Sequence, residues 1–278
     1  KNKKNNIKYI RFPIDEDIES FHKKVWDSSK MIKTPYVMTC DNDDFLNIDG
    51  IKKCVNFLEA NEDYSFCGGR ILGVEENFGN PINKKFLYKF KFGYTVNNSN
   101  LDGLFGIDGI KSMFRPYRYL WYSVYRTDIF SNIWKGIYDT NLQNGKLTEM
   151  LQTQLAFYYG KYKDLNVNTY IRLENPISSY DSIEASIVKG AWSHSRIYFD
   201  DDYRNEVIKM ADLLSKLLKV PLEKITREYV QFYSFALSDK NNLPIKTRFY
   251  NKIMRLIFKI SPKISIKQII RFVNLLIR

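Results

Sequence analysis

Along residues 15–33 apolar positions recur at helical spacing, with Ile18, Phe21, Val25 and Trp26 on one face and Asp15 or Asp17 placed to cap the start. On either side the pattern changes. Lys8–Pro13 (KYIRFP) predicts a short strand stopped by proline, and Tyr36–Cys40 (YVMTC), after the Thr34-Pro35 break, predicts a buried one. A second helix follows, capped by Asp49, with Ile51, Val55 and Leu58 turned inward. Tyr64–Leu72 (YSFCGGRIL) predicts the next strand, where Gly68-Gly69 permits a bulge or a close backbone approach. Strand, helix, strand, helix, strand at these lengths is the pattern of an α/β sheet of mostly parallel strands flanked by helices.

Residues 74–117 lose this periodicity and predict a long excursion over one face of the sheet. Tyr119–Arg126 (YLWYSVYR) predicts a strand, Thr127 or Asp128 the cap of a short helix, and Thr148–Tyr159 a helix with Thr148 as its N-cap. Asn168–Leu173 predicts a last strand. From Ser182 the chain reads as helical, most clearly over Glu206–Leu218 and Leu222–Leu237. The end carries two amphipathic helices parted by Ser261-Pro262. Phe249, Ile253, Leu256, Ile257 and Ile260 mark one apolar face, and Ile266, Ile269, Ile270, Val273 and Ile277 mark the other.

At 278 residues and 44% hydrophobic content, the chain suits one large domain, or one with a smaller appendage. Three cysteines (Cys40, Cys54, Cys67) without CxxC spacing argue against a disulfide scaffold or a structural zinc, and for a reducing compartment. No apolar run approaches the roughly 18–20 residues that span a bilayer. The basic start, KNKKNNIKYI, leads into no long apolar segment and is not a secretory signal. The net charge of +12 is unevenly placed: ten of the Lys and Arg residues, and no Asp or Glu, lie between Lys240 and Arg278.

The chemistry is concentrated in YVMTCDNDDF. Asp41, Asp43 and Asp44 directly follow the Tyr36–Cys40 strand, and α/β sheets bind ligands beyond the carboxyl ends of their strands. Carboxylates this close repel one another unless a positive partner neutralises them. Hard oxygen ligands at such a place suit Mg²⁺ or Mn²⁺ holding a phosphate-bearing substrate. A calcium loop fails, because Phe45 and Leu46 stand where an oxygen ligand and a glycine are needed. An aspartyl-nucleophile phosphatase, with Asp41 attacking and Asp43 as acid/base, wants Thr or Val where Phe45 stands. A solvated acidic turn stays open.

In this order, TPYVMTCDNDDF followed by FLEANEDYSFCGG resembles the GT-A glycosyltransferases, specifically the bacterial family-2-like group. WYSVYRTDIF and LTEMLQTQLAF resemble later segments of that group, so the likeness spans about residues 8–180. It implies a GT-A-like fold and a nucleotide-sugar donor. Asp41 and Asp43 match the DxD pair that holds Mn²⁺ or Mg²⁺ and reaches the donor, and Asp44 the acidic position supporting them. Glu149 matches the motif supplying the general base of inverting members, on a first helical turn where the dipole favours negative charge. Family members often carry Glu-Asp there, where this chain has Glu149-Met150. Trp121, Tyr122 and Tyr125 are candidates for stacking on an acceptor sugar, and His194 for a third metal ligand; core packing and a surface or capping role are their plainer alternatives. The resemblance also implies that the family's opening nucleotide-binding strand–helix unit does not form part of these residues.

The expected organisation is a partial GT-A-like catalytic domain over 1–180, a helical extension over 181–239 and a basic amphipathic tail over 240–278. Such a tail suits an anionic membrane surface, or alternatively docks on the body. Without a recognised motif, the charge does not point to nucleic acid. A metal-dependent transferase acting on a glycan or lipid-linked acceptor in bacterial surface polysaccharide synthesis follows, cytoplasmic and peripheral on the plasma membrane. The rival is a non-catalytic membrane- or polyanion-binding module.

Overall fold

A computed structural model describes residues 7–77, 87–91, 98–114, 118, 120–174, 197 and 200–236. The helix expected near the start is α1 (Ile18–Lys30), opened by Asp17, whose carboxylate accepts from the Ser20 N–H while the Ser20 hydroxyl accepts from the Asp17 N–H. Residues 7–13 form no strand: Ile7 and Tyr9 are exposed and no described strand pairs with them. The strand after Pro35 shortens to β1 (Tyr36–Val37). Beyond the acidic run, β2 (Phe45–Leu46) forms, and Asn47, rather than Asp49, caps α2 (Ile48–Ala60). Leu58 and Cys54 of α2 are buried, with Ile51 and Val55 packed beside them.

β3 (Tyr64–Asn77) is longer than the apolar run suggests, because its polar second half pairs with β4 (Leu87–Lys91). The excursion thus contains a strand, and also a helix, α3 (Gly106–Met113). β5 narrows to Val124–Arg126, leaving 120–123 as a loop. Then come α4 (Thr127–Thr140), α5 (Gly145–Tyr159), β6 (Lys161–Glu174), α6 (Asp201–Leu218) and α7 (Leu222–Ala236). α4 has no side-chain cap, so neither Thr127 nor Asp128 performs that role.

The strand order is β1-β5-β3-β6-β2, with β4 on β3. Only β3 and β6 pair in parallel; the other described pairings are antiparallel. The sheet is therefore mixed rather than mostly parallel, because the acidic loop turns the chain back and β2 enters against β6. Still, β1, β3 and β6 share one direction, and the acidic loop leaves from the carboxyl end of β1. A register shift interrupts β3 between Gly68 and Arg70. A Cβ on Gly69 would lie 2.3 Å from the Val167 carbonyl oxygen, the close approach its glycine pair suggested.

Each sheet face has its own core. Cys67 and Val124 meet Cys54 and Leu58 of α2 on one side. On the other, Phe66, Tyr125 and Tyr162 face α5, in a larger cluster that extends through α3 and α4 to α6 and α7. The expected boundary after residue 180 and the tail over 240–278 fall outside the described residues. Among those that are described, no helix is long and apolar enough to cross a membrane.

His22 joins α1 to α5. Its Nε2 lies 2.9 Å from Thr148 Oγ1, and Thr148 in turn donates to the Asn144 carbonyl. Nε2–H is therefore the donor, and Nδ1 is a buried nitrogen without a partner among the described residues. Charging the ring would place a proton there. Burial accordingly pushes His22 from 6.5 down to about 4, against a weaker pull from Asp17. Between those values the unfolded chain binds the extra proton and the folded chain does not, so stability rises with pH. It is complete above about pH 6.5 and declines as the pH falls towards 4, by at most about 3 kcal/mol. Urea unfolding at pH 7.5 and 5 should show that loss, and His22→Leu should reduce the difference. An equal difference in both proteins would refute the assignment.

Candidate functional site

The chain after Val37 runs out past the sheet, where Thr39 donates from Oγ1 to the Trp121 carbonyl at 3.0 Å. It then turns sharply, with the Asp44 N–H donating to the Asp41 carbonyl at 3.3 Å. Asp41 and Asp43 are exposed and Asp44 is half-buried. Two tyrosines hold this turn. Tyr170 of β6 accepts from the Asp41 N–H at 3.0 Å and donates to Asp44 Oδ2 at 2.6 Å. Tyr122 donates to Asp41 Oδ2 at 2.5 Å. Their rings stack at 4.2 Å between centroids. Burial, and then the bond to Asp44, push the Tyr170 phenol well above its ordinary value, so it remains a donor.

Tyr122 belongs to the loop before β5, which α5 anchors: the Leu120 N–H donates to Thr153 Oγ1 at 3.1 Å. α5 begins one turn earlier than its apolar pattern suggests. Asn144 caps it by accepting from the N–H groups of Lys146 and Leu147, and Thr148 is buried inside the helix. Glu149 therefore sits in the second turn, not the first, and loses the dipole contribution expected of it. Its nearest positive charge is instead Lys146, Nζ to Oε2 at 2.7 Å, with both side chains largely buried. Burial lowers the Lys146 ammonium; Glu149 opposes that shift and Arg172 adds to it. Arg172 lies two residues beyond Tyr170 on β6, hence on the same strand face. Two routes thus lead from the acidic turn to the Glu149 helix, one through Tyr122 and Thr153, the other along β6.

The α5 N-terminus is fixed from a third side. Glu206 of α6, though buried, accepts from the N–H groups of Gln143 and Asn144 at 2.9 and 3.1 Å. α7 adds a bond from Tyr229 to Gln154 at 2.6 Å.

Of the three aromatic candidates, Tyr122 alone reaches the acidic turn. Trp121 packs edge-on against Trp134 at 5.3 Å. Tyr125 is fully buried, stacked on Phe66 at 5.2 Å, and donates to the Leu120 carbonyl, so it belongs to the core and not to an acceptor surface. Arg126, from the same aromatic run, points away from the acidic turn and donates to the Leu58, Asn61 and Tyr64 carbonyls, closing the end of α2. His194 lies outside the described residues. Sequence reasoning missed Tyr170, Lys146 and Arg172. Nothing along the chain distinguishes Tyr170 among 20 tyrosines, since its partner lies 126 residues away.

Residues 28–120 match the model of a family described as Glycosyl transferase family 2. No curated protein matches the chain. The matched stretch contains β1, the acidic turn, α2 and β3, and ends at Leu120, the residue anchored to α5. An α/β sheet flanked by helices, with its acidic turn inside that match, makes this third of the chain similar to the GT-A, family-2-like glycosyltransferases, enzymes that move a sugar from a nucleotide-sugar donor to an acceptor.

Proposed function

We propose that the protein is such a glycosyltransferase and depends on a divalent cation, Mn²⁺ or Mg²⁺, held at the acidic turn by Asp41 and Asp43 with Asp44 in support. The observation that carries the proposal is that turn, exposed at the carboxyl end of β1 and held by two phenols. The donor set fits a hard cation. Among the described residues no group of three or more His, Cys, Asp and Glu could hold a metal; Mg²⁺ typically takes one or two carboxylates and completes its shell with substrate phosphate and water. Bound there, the cation would supply neutralisation of charge on the departing nucleoside diphosphate.

The remaining steps fall to the chain's own residues. Glu149, on the α5 turn that Asn144 and Glu206 fix, takes the proton from the acceptor hydroxyl. The attack is in line, on the face opposite the leaving group, so the transfer inverts the anomeric centre. Lys146 keeps the Glu149 carboxylate oriented. The acceptor is a glycan or lipid-linked glycan of a bacterial surface polysaccharide, and the ten cations after residue 239 hold the enzyme peripherally on the cytoplasmic face of the plasma membrane.

Turnover of a UDP-sugar with Mn²⁺ tests the metal role. Asp43→Asn is expected to lower it about 10²-fold with an unchanged circular dichroism spectrum, and EDTA to do the same to the wild type. Activity indifferent to both would sink the metal reading. For the tail, removal of residues 240–278 should abolish sedimentation with anionic vesicles; retained binding would exclude it as the anchor.

A further inference from the structure

We infer that Tyr122 and Tyr170 are positioning residues of the proposed cation site, which makes the inference rest on that reading. Neither position falls in the DxD pair, and both lie beyond the family match.

A phenol has one proton to give. Tyr170 gives its proton to Asp44 Oδ2 and Tyr122 gives its own to Asp41 Oδ2. The Tyr170 oxygen also receives the Asp41 N–H, so one atom fixes both the backbone at the start of the turn and the carboxylate at its end. Asp41 and Asp44 are thereby set relative to each other before any cation arrives. Tyr122 takes one lone pair on Oδ2 of Asp41, so ligation through the other oxygen keeps that bond intact. The stacked rings couple the two supports, and each is anchored in a different element: Tyr122 through the loop that Thr39 and Thr153 hold, Tyr170 within β6.

Both phenols are also neutral donors. They stabilise neighbouring carboxylates without contributing a charge that would compete with the cation or repel it. An arginine here would hold the turn as firmly and oppose metal binding. Outer-shell partners of this kind typically account for a 10–100-fold difference in metal affinity.

The test is Mn²⁺ affinity, read from the electron paramagnetic resonance signal of free Mn²⁺, with and without excess UDP. Wild type, Tyr122→Phe, Tyr170→Phe and Asp43→Asn are compared. Phenylalanine keeps the ring stack and removes only the hydroxyl; Tyr122 is half-buried, so its variant folds even if the one at buried Tyr170 does not. Asp43→Asn should lose binding, and each tyrosine variant should bind about tenfold more weakly. Tyrosine variants within twofold of wild type, while Asp43→Asn loses binding, overturn the positioning role and leave the metal reading standing. Mn²⁺ binding that is absent from wild type, or unchanged in Asp43→Asn, overturns both.

Discussion

Trp134→Ala is expected to destabilise the protein by about 3–5 kcal/mol, the range for removing a large buried aromatic. Trp134 is 1% exposed on α4. Its indole meets Phe21 and His22 of α1, Phe130 one turn back, and Trp121 of the loop before β5. The indole N–H is buried and has no partner among the described residues, so truncation removes packing and no hydrogen bond. Apart from Phe130 on α4 itself, the neighbours come from other elements, each fixed elsewhere, and cannot collapse together into the space. That places the cost in the upper part of the range. Urea unfolding followed by circular dichroism measures it. Trp121 is the neighbour of Tyr122, so the surviving folded protein should also show weaker donor turnover. A loss below about 1 kcal/mol would show that the site relaxes, and that α1 is held by its other contacts.

What could be read along the chain follows the distance over which each signal acts. Asp17 was legible as a cap because its partner is Ser20, three residues on. Leu58 was legible as core because helical spacing alone turns it inward. Asn144 was not, because the apolar pattern of α5 starts later than its backbone does, and because Glu206, from a helix 62 residues away, helps to hold that end. α3 was hidden by its two glycines, Gly106 and Gly109, the latter required where a Cβ would lie 2.2 Å from the Phe157 ring. β2 consists of two residues and has no period to detect.

The candidate site divides the same way. Three aspartates after an apolar run are a local signal, and the turn they form is where the sequence placed it. What holds the turn comes from elsewhere: Tyr122 and Tyr170 are separated from it by 81 and 126 residues. Aromatic residues in a strand look alike in one dimension. Tyr122 and Tyr125 are three apart in one run, yet one reaches a carboxylate and the other stacks inside the core.

The largest effect on turnover is expected at Glu149. Glu149→Gln retains the size of the side chain and an oxygen to accept from Lys146, so the α5 turn keeps its shape while the carboxylate is lost. With Glu149 as the group that takes the acceptor proton, kcat should fall about 10³-fold, within the range for removing a general base, and KM for the donor should change little. The competing account is an ion pair that only fixes the helix. In that case the glutamine variant should lose stability and keep its kcat. Lys146→Met separates the two accounts further. It removes the charge 2.7 Å from the carboxylate and leaves the proton acceptor in place, so activity should persist. A lysine variant as inactive as the glutamine variant would mean that the pair acts as a unit, and Glu149 could no longer be assigned the proton alone. Activity undiminished in Glu149→Gln would remove it from the chemistry and send the search for the base to other residues around the acidic turn.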